Sequence, residues 1–296
     1  MSVFASILVP LDGSRLAARG LGCATWLAAR LGARLHILSA TPHELPAREE
    51  AARLLVPEEH WPLITLHQGP AYPEGAILAA LARYDIGLVV MSAGGQTAEA
   101  AVAAEPGPDR IVGHVTRAII EQSPVPVLLL PPNYRESLPW ERTLVPVSGE
   151  VGVDEALALA VRLANALDLE VHVAHVADVD TGDEGLAARA RYADALHHEY
   201  PRQLDEFVSR ALPHCSPEEC RRIAEVALCH GDAAGELRRL IERKRVSILV
   251  IGWRGQFMTG RARVLKQLIQ AITTPLLLVR ATARMPFRLR VGEEIG

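Results

Sequence analysis

The chain repeats itself. ILVPLDGS at 7–14 returns as TLVPVSGE at 143–150, LVVMSAGG at 88–95 as ILVIGWRG at 248–255, and VPVLLLPP at 125–132 as TPLLLVR at 274–280. Leu8, Val9, Pro10, Leu31 and His36 recur without a gap as Leu144, Val145, Pro146, Leu167 and His172, so the first third of each half must follow one backbone plan. The duplication constrains function as well as fold. A ligand site built by the shared plan survives only in a half that keeps its contact residues.

Within each half, short apolar runs of strand length alternate with stretches of helical period. Segments 3–9, 34–39, 63–67, 86–91 and 125–130 read as strands, and 15–31, 72–84 and 111–122 as helices. The second half repeats the order with strands at 143–147, 170–176, 222–228, 247–251 and 276–279 and helices at 152–167, 185–212, 235–244 and 261–271. Strands apolar on both faces and separated by helices predict a parallel sheet covered on both sides. The expected fold is α/β: two tandem doubly wound domains, 1–135 and 136–296, each a five-stranded parallel sheet with helices on both faces. Between them PPNYRESLPWER, 131–142, carries three prolines and no periodicity and reads as a linker. The helix at 185–212 has only a stub at 47–55 as its counterpart, and the charged tail at 284–296 is expected to be loosely ordered.

With 49% of its 296 residues apolar, the chain can give each half its own core. A formal net charge of -4 lacks the basic excess that nucleic-acid backbones or anionic membranes attract, so neither is an expected partner. The opening apolar run ends at Asp12 with no basic residue before it and reads as a first strand, not a signal peptide. No apolar stretch approaches the roughly 20 residues that span a bilayer. Four cysteines without an export signal lead us to expect a reducing cytoplasm.

In an open parallel sheet, ligands sit outside the carboxyl ends of the strands, which directs attention to the residues after strands one and four. These are Asp12 and the run from Ser92 to Gly95, with Ser148 and the run from Gly252 to Gly255 as counterparts. A carboxylate after strand one can accept from a ribose hydroxyl or a base amino group. Small residues after strand four let backbone N–H groups approach phosphate oxygens, with the partial positive charge of a helix N-terminus beyond.

These residues resemble the universal stress protein family in its tandem form. The resemblance rests on the LVPLDGS opening, the turns at Gly69 and Gly231, the VMSAGG and VIGWRG turns and the closing VPVLLL. It implies that the last strand of each domain pairs across a pseudo-twofold axis, making an intramolecular pseudo-dimer and leaving homodimerisation of the chain open. It also implies a non-enzymatic stress-response protein that binds ATP and acts through a protein partner whose identity the sequence does not carry. The family's ATP-binding members have Gly-x-x-Gly, nine residues, then Gly-Ser/Thr, with an aspartate after strand one. Half one keeps Asp12, Gly95, Gly113 and Thr116, but Ser92 replaces the first glycine and His114 follows Gly113. Seventeen residues separate Gly95 from Gly113. The inserted stretch, 98–109, has no apolar stripe and is expected to be mobile without ligand. Half two keeps Gly252 and Gly255, while Ser148 replaces the aspartate, and Ala262 and Arg263 replace the later pair. Nucleotide, if bound, is therefore expected in half one.

Other readings compete. His214, Cys215, Cys220, Cys229 and His230 supply soft ligands, yet their spacing is wrong for a zinc knuckle and small buried hydrophobes are the expected role of the thiols, Cys23 included. No metal is expected. His36 and His172 read as hydrogen-bonded structural residues, and His197 and His198 as a solvated or interface face. A nucleotide-independent scaffold or binder of an apolar small molecule, roofed by the helix at 185–212, is one alternative. A weak ATPase using His114 or Arg263 is the other, although no nucleophile motif is present.

Overall fold

The computed structural model describes residues 3–41, 44–70, 72–95, 112–147, 154–177, 216–253, 255, 257 and 262–280. The helix expected at 185–212, the insertion at 98–109, Ser148, His197, His198, His214, Cys215 and the tail at 284–296 lie outside these residues.

The first half runs β1 (Ser6–Leu11), α1 (Arg15–Ala18), α2 (Gly20–Leu31), β2 (Arg34–Ala40), α3 (Ala47–Arg53), a 3-10 turn (Glu58–Leu63), β3 (Ile64–Gly69), α4 (Pro73–Arg83), β4 (Leu88–Ser92), α5 (His114–Gln122) and β5 (Val127–Leu130). The second runs β6 (Arg142–Pro146), α6 (Asp154–Leu167), β7 (Glu170–Ala177), α7 (Pro217–Cys220), β8 (Ile223–His230), α8 (Ala233–Lys244), β9 (Ile248–Trp253), α9 (Arg263–Ala271) and β10 (Leu276–Arg280). Local chemistry sets the boundaries. Ser14, in extended conformation, accepts from Ala17 N to start α1, and Gly32 at φ 63 closes α2 in the left-handed conformation that most side chains avoid.

The ten strands form one sheet in the order β3-β2-β1-β4-β5-β10-β9-β6-β7-β8. All neighbours are parallel except β5 and β10, which meet antiparallel with Leu128 opposite Leu277. Those two leucines are equivalents in the sequence repeat, so the pseudo-twofold axis passes between them. The pairing removes two apolar strand edges that would otherwise template aggregation.

The core divides by sheet face and not by half. One cluster joins Leu21 and Leu27 of α2 to Leu157 and Val161 of α6 through Ile7, Val90, Val173 and Val250. The other joins Ile77, Ile119, Leu240 and Leu268 of α4, α5, α8 and α9 through Leu8, Val89, Leu144 and Leu249. Each cluster crosses from one half to the other.

The connection at 131–142 is a fixed strap. Tyr134 and Trp140 are buried, Trp140 lies 5.1 Å from Trp26, and Arg19 donates to the carbonyls of Pro132 and Tyr134. On the other half, Asn133 donates to Gln270 O at 3.1 Å and Arg135 N to Thr273 O at 3.2 Å.

Cys23 is core, and burial pushes its thiol pKa up. His36 and His172 are paired as structural residues, His36 with His67 at 2.9 Å and His172 with Glu225 at 3.3 Å. Among the described residues no group of His, Cys, Asp and Glu could hold a metal ion, and no helix is long and apolar enough to cross a membrane.

Candidate functional site

β1 ends at Leu11, and the chain turns at once through Asp12 and Gly13, whose φ of 84 suits a residue without a Cβ. Asp12 Oδ1 accepts from Ser14 N at 2.9 Å, which aims the carboxylate across the strand ends toward β4. There it meets the backbone of Gly95. A Cβ added at 95 would stand 2.3 Å from Asp12 Oδ2, closer than any real contact, so the carboxylate occupies the space that glycine leaves open. The two motif elements lie far apart in sequence and touch in space.

The second pair closes on the same place. Gly113 N donates to Ala93 O at 2.7 Å, Ala93 N donates to Leu130 O at 2.8 Å, and Thr116 Oγ1 donates to Ser92 O at 3.0 Å. The seventeen-residue separation therefore begins and ends at adjacent backbone positions, and the frame is closed despite the insertion. Ser92 turns its hydroxyl onto Leu16 O. With their protons donated to carbonyls, Ser92 and Thr116 hold the frame, while glycines 95 and 113 and the first turn of α5 form its surface. Gly113 is the N-cap of α5 and no side chain caps that helix. Its first N–H groups are thus of the kind that binds anions.

Around the frame stand groups that the motif does not name. His114 opens α5 with its side chain 87% exposed and its Nδ1 2.7 Å from Oε1 of Glu74, a nearly buried carboxylate in the first turn of α4. On the other side of β1, Glu50 of α3 is fully buried and accepts from Arg53 Nε at 2.7 Å and Nη2 at 2.6 Å, while Nη2 also donates to Ser39 Oγ at 2.8 Å. Ser39 pairs in register with Leu11, so this ion pair sits beside Asp12. The Arg53 hydrogen bonds hold the Glu50 carboxyl below the usual carboxylate range against the opposing effect of burial. The only advance signal of the pair was its i,i+3 spacing on the stub at 47–55.

The corresponding end of the second half is built differently. Gly252 lies within β9, and Gly255 has φ 74, but a Cβ there would meet Arg280 Nε at 2.9 Å, so a guanidinium lies across the glycine. Phe257 is buried against Trp253, its N donates to Glu121 Oε1 of α5 at 2.9 Å, and Lys266 Nζ sits 5.1 Å above its ring. Phe257 is thereby drawn into the packing between the halves. Arg263 is exposed at the start of α9, after Ala262 in left-handed conformation. The structure thus gathers Asp12, Ser92, Gly95, Gly113, His114 and Thr116 in one half and places Gly252, Gly255 and Arg263 in the other.

A tandem α/β protein with a glycine frame at its strand ends is the class that this geometry defines. Residues 139–280 match the model of the universal stress protein family. Two solved structures share the fold along nearly the full length. A functionally unknown protein from Pseudomonas aeruginosa has 16% identity and a TM-score of 0.64, over 94% of this chain and 93% of that one. A universal stress protein from Archaeoglobus fulgidus has 16% identity and a TM-score of 0.62, over 95% and 98%. No curated protein matches in sequence. The region that matches the family model is the second half, and the first half repeats its sequence pattern and mirrors its strand order.

Proposed function

We propose that the first half binds a purine nucleoside triphosphate, of which ATP is the one the family resemblance implies, and that the chain serves as a non-enzymatic regulator of the stress response. The observation that carries this reading is the closed frame in which Asp12 touches Gly95 while Gly113 returns to Ala93. Phosphates suit the uncapped N-terminus of α5, and the Asp12 carboxylate can accept from ribose hydroxyls. The second half is the lesser candidate, because the Arg280 side chain crosses Gly255 and Phe257 is committed to packing.

The described groups around the frame favour binding without turnover. Phosphoryl transfer needs a positioned nucleophile and cations on the developing charge. His114 is held by Glu74, and Arg263 belongs to the other half. Acid extraction of the purified protein followed by mass spectrometry should release a purine nucleotide, and radiolabelled ATP should remain uncleaved. Extracts free of nucleotide, together with no uptake of added ATP or GTP, would refute the reading. Turnover near the roughly 1 to 1000 per second of ordinary enzymes would refute its non-enzymatic part.

A further inference from the structure

His114 opens α5 at the end of a helix where a positive charge is out of place. Gly113 caps α5 without a side chain, so the helix presents its first N–H groups and its positive end at the frame. The imidazole there is nonetheless held. Its Nδ1 lies 2.7 Å from Oε1 of Glu74, a nearly buried carboxylate in the first turn of α4. As a carboxylate Glu74 only accepts, so Nδ1 carries the hydrogen of that bond, and Nε2 carries one only when the ring is charged. Among the described residues Nε2 has no hydrogen-bond partner, and the ring is exposed.

No other charged group competes for the ring at this end of the half. On α5, Arg117 pairs with Glu121 at 3.6 Å. Across the strand ends, Asp12 is turned to Ser14 N and Arg53 to Glu50, while Tyr72 is the N-cap residue of α4. The second half supplies the contrast. Glu236 stands five residues after Gly231 as Glu74 stands five after Gly69, but it is bonded to Arg239 of its own helix, and α9 begins with Arg263. The carboxylate and imidazole pair between helices belongs to the half that keeps Asp12.

We propose that His114 is a proton-linked phosphate contact: the imidazolium, positioned by Glu74, donates from Nε2 to the terminal phosphate, so the first half binds nucleoside triphosphate more tightly as pH falls from about 8 to about 6. The inference rests on the nucleotide reading above. A phosphate at the α5 N-terminus converts an unfavourable neighbour, a cation at the positive end of a helix, into a row of alternating charges from Glu74 through His114 to the phosphate. An imidazole gains and loses its proton in this pH range, so the contact exists in one state and not in the other. A ligand that prefers the protonated ring draws a proton in as it binds, and by linkage its affinity rises as pH falls. The contact adds a cation and no nucleophile, so bound ATP stays whole.

Isothermal titration calorimetry of the intact chain with ATP and with adenosine at pH 6, 7 and 8, each in two buffers of different ionisation heat, tests this. The comparison is with His114→Gln, whose amide can still donate to Glu74 but takes up no proton; comparing the chains at each pH cancels the titration of the phosphates themselves. At pH 6 the wild type should bind ATP roughly 10- to 150-fold more tightly than the variant, the worth of a hydrogen bond to a charged group. The gap should close toward pH 8, and the wild type should take up more protons than the variant. Adenosine, which has no phosphate, should bind both chains alike. Glu74→Gln should retain binding with a weaker pH dependence, because its amide can donate to Nδ1 and leave a hydrogen on Nε2 at every pH. An ATP affinity ratio that stays constant or widens toward pH 8, a ratio shared by adenosine, or a pH dependence undiminished in Glu74→Gln overturns the inference and leaves the nucleotide reading standing. No binding of ATP by the folded wild type at any of the three pH values overturns both.

Discussion

The Asp12 carboxylate occupies the volume that a side chain at Gly95 would need, with Oδ2 2.3 Å from the position of an added Cβ. Residues eighty-three apart in sequence are thereby made interdependent, and the dependence can be measured. Gly95→Ala should destabilise the fold by about 1 to 3 kcal/mol, the usual cost of overpacking, because Asp12 is anchored by Ser14 N and cannot simply swing away. Asp12→Ala should relieve most of that cost. In a double-mutant cycle by urea denaturation the pair should be strongly non-additive, and additive effects would show that the two do not touch in solution.

Closure of the frame predicts tolerance of the insertion. Gly113 N is tied to Ala93 O whatever lies between. Shortening the Gly95–Gly113 connection from seventeen residues to the nine of the family pattern should change stability by less than about 1 kcal/mol, since loop closure depends only logarithmically on length. It should also leave nucleotide affinity intact. A loss of several kcal/mol, or of binding, would make the inserted residues part of the site.

Glu50 is fully buried and Arg53 is not, so the two substitutions should differ. Arg53→Ala strands a buried carboxylate. The roughly 3 to 5 kcal/mol of a fully buried pair must be reduced for the exposure of Arg53, which leaves an expected loss of about 1 to 3 kcal/mol. The Glu50→Gln/Arg53→Met double variant should melt close to the wild type. Equal destabilisation by the single and double changes would contradict this account of the pair.

His36 and His67 stack at the edge of the sheet with rings 5.2 Å apart, and Tyr84 covers His67 at 3.8 Å. Burial lowers both imidazole pKa values, helped by the charge of His67 and Arg34 on His36 and of Arg83 on His67. A histidine whose folded pKa is depressed binds protons more readily unfolded. Stability from this source is therefore fully present above the unfolded value of about 6.5 and is lost as pH falls from there through the folded values. Thermal melts from pH 8 to 5 should show the decline beginning near 6.5 and a shallower slope in His67→Gln. An unchanged slope would assign the acid sensitivity elsewhere, for instance to His175, whose pKa is also lowered by burial.

The repeat and its periodicity carried most of the fold: helix α6 was expected at 152–167 and runs Asp154–Leu167, and β10 was expected at 276–279 and runs Leu276–Arg280. Two features were out of reach because they depend on long-range packing. The linker prolines hid a strap, since the burial of Tyr134 and Trp140 is decided by α2 and not by neighbours in sequence. The division of the core by face comes from the β5–β10 pairing, which the family resemblance implied although no local pattern in either half specifies how the core divides. In the site, Asp12 and the glycines stood out because spacing marks them. Arg53 and Arg280 did not, because a charged residue on a short helix or at a strand end looks like solvated surface until the partner beside it is known.

The most direct test is isothermal titration calorimetry of the intact chain with ATP and with GTP, on the wild type, Asp12→Ala and Arg280→Ala. The account predicts one site per chain. Asp12→Ala should weaken it by the roughly 1.5 to 3 kcal/mol of a hydrogen bond to a charged group, and Arg280→Ala should leave it unchanged. Two sites per chain, or an affinity indifferent to Asp12 and sensitive to Arg280, would contradict it.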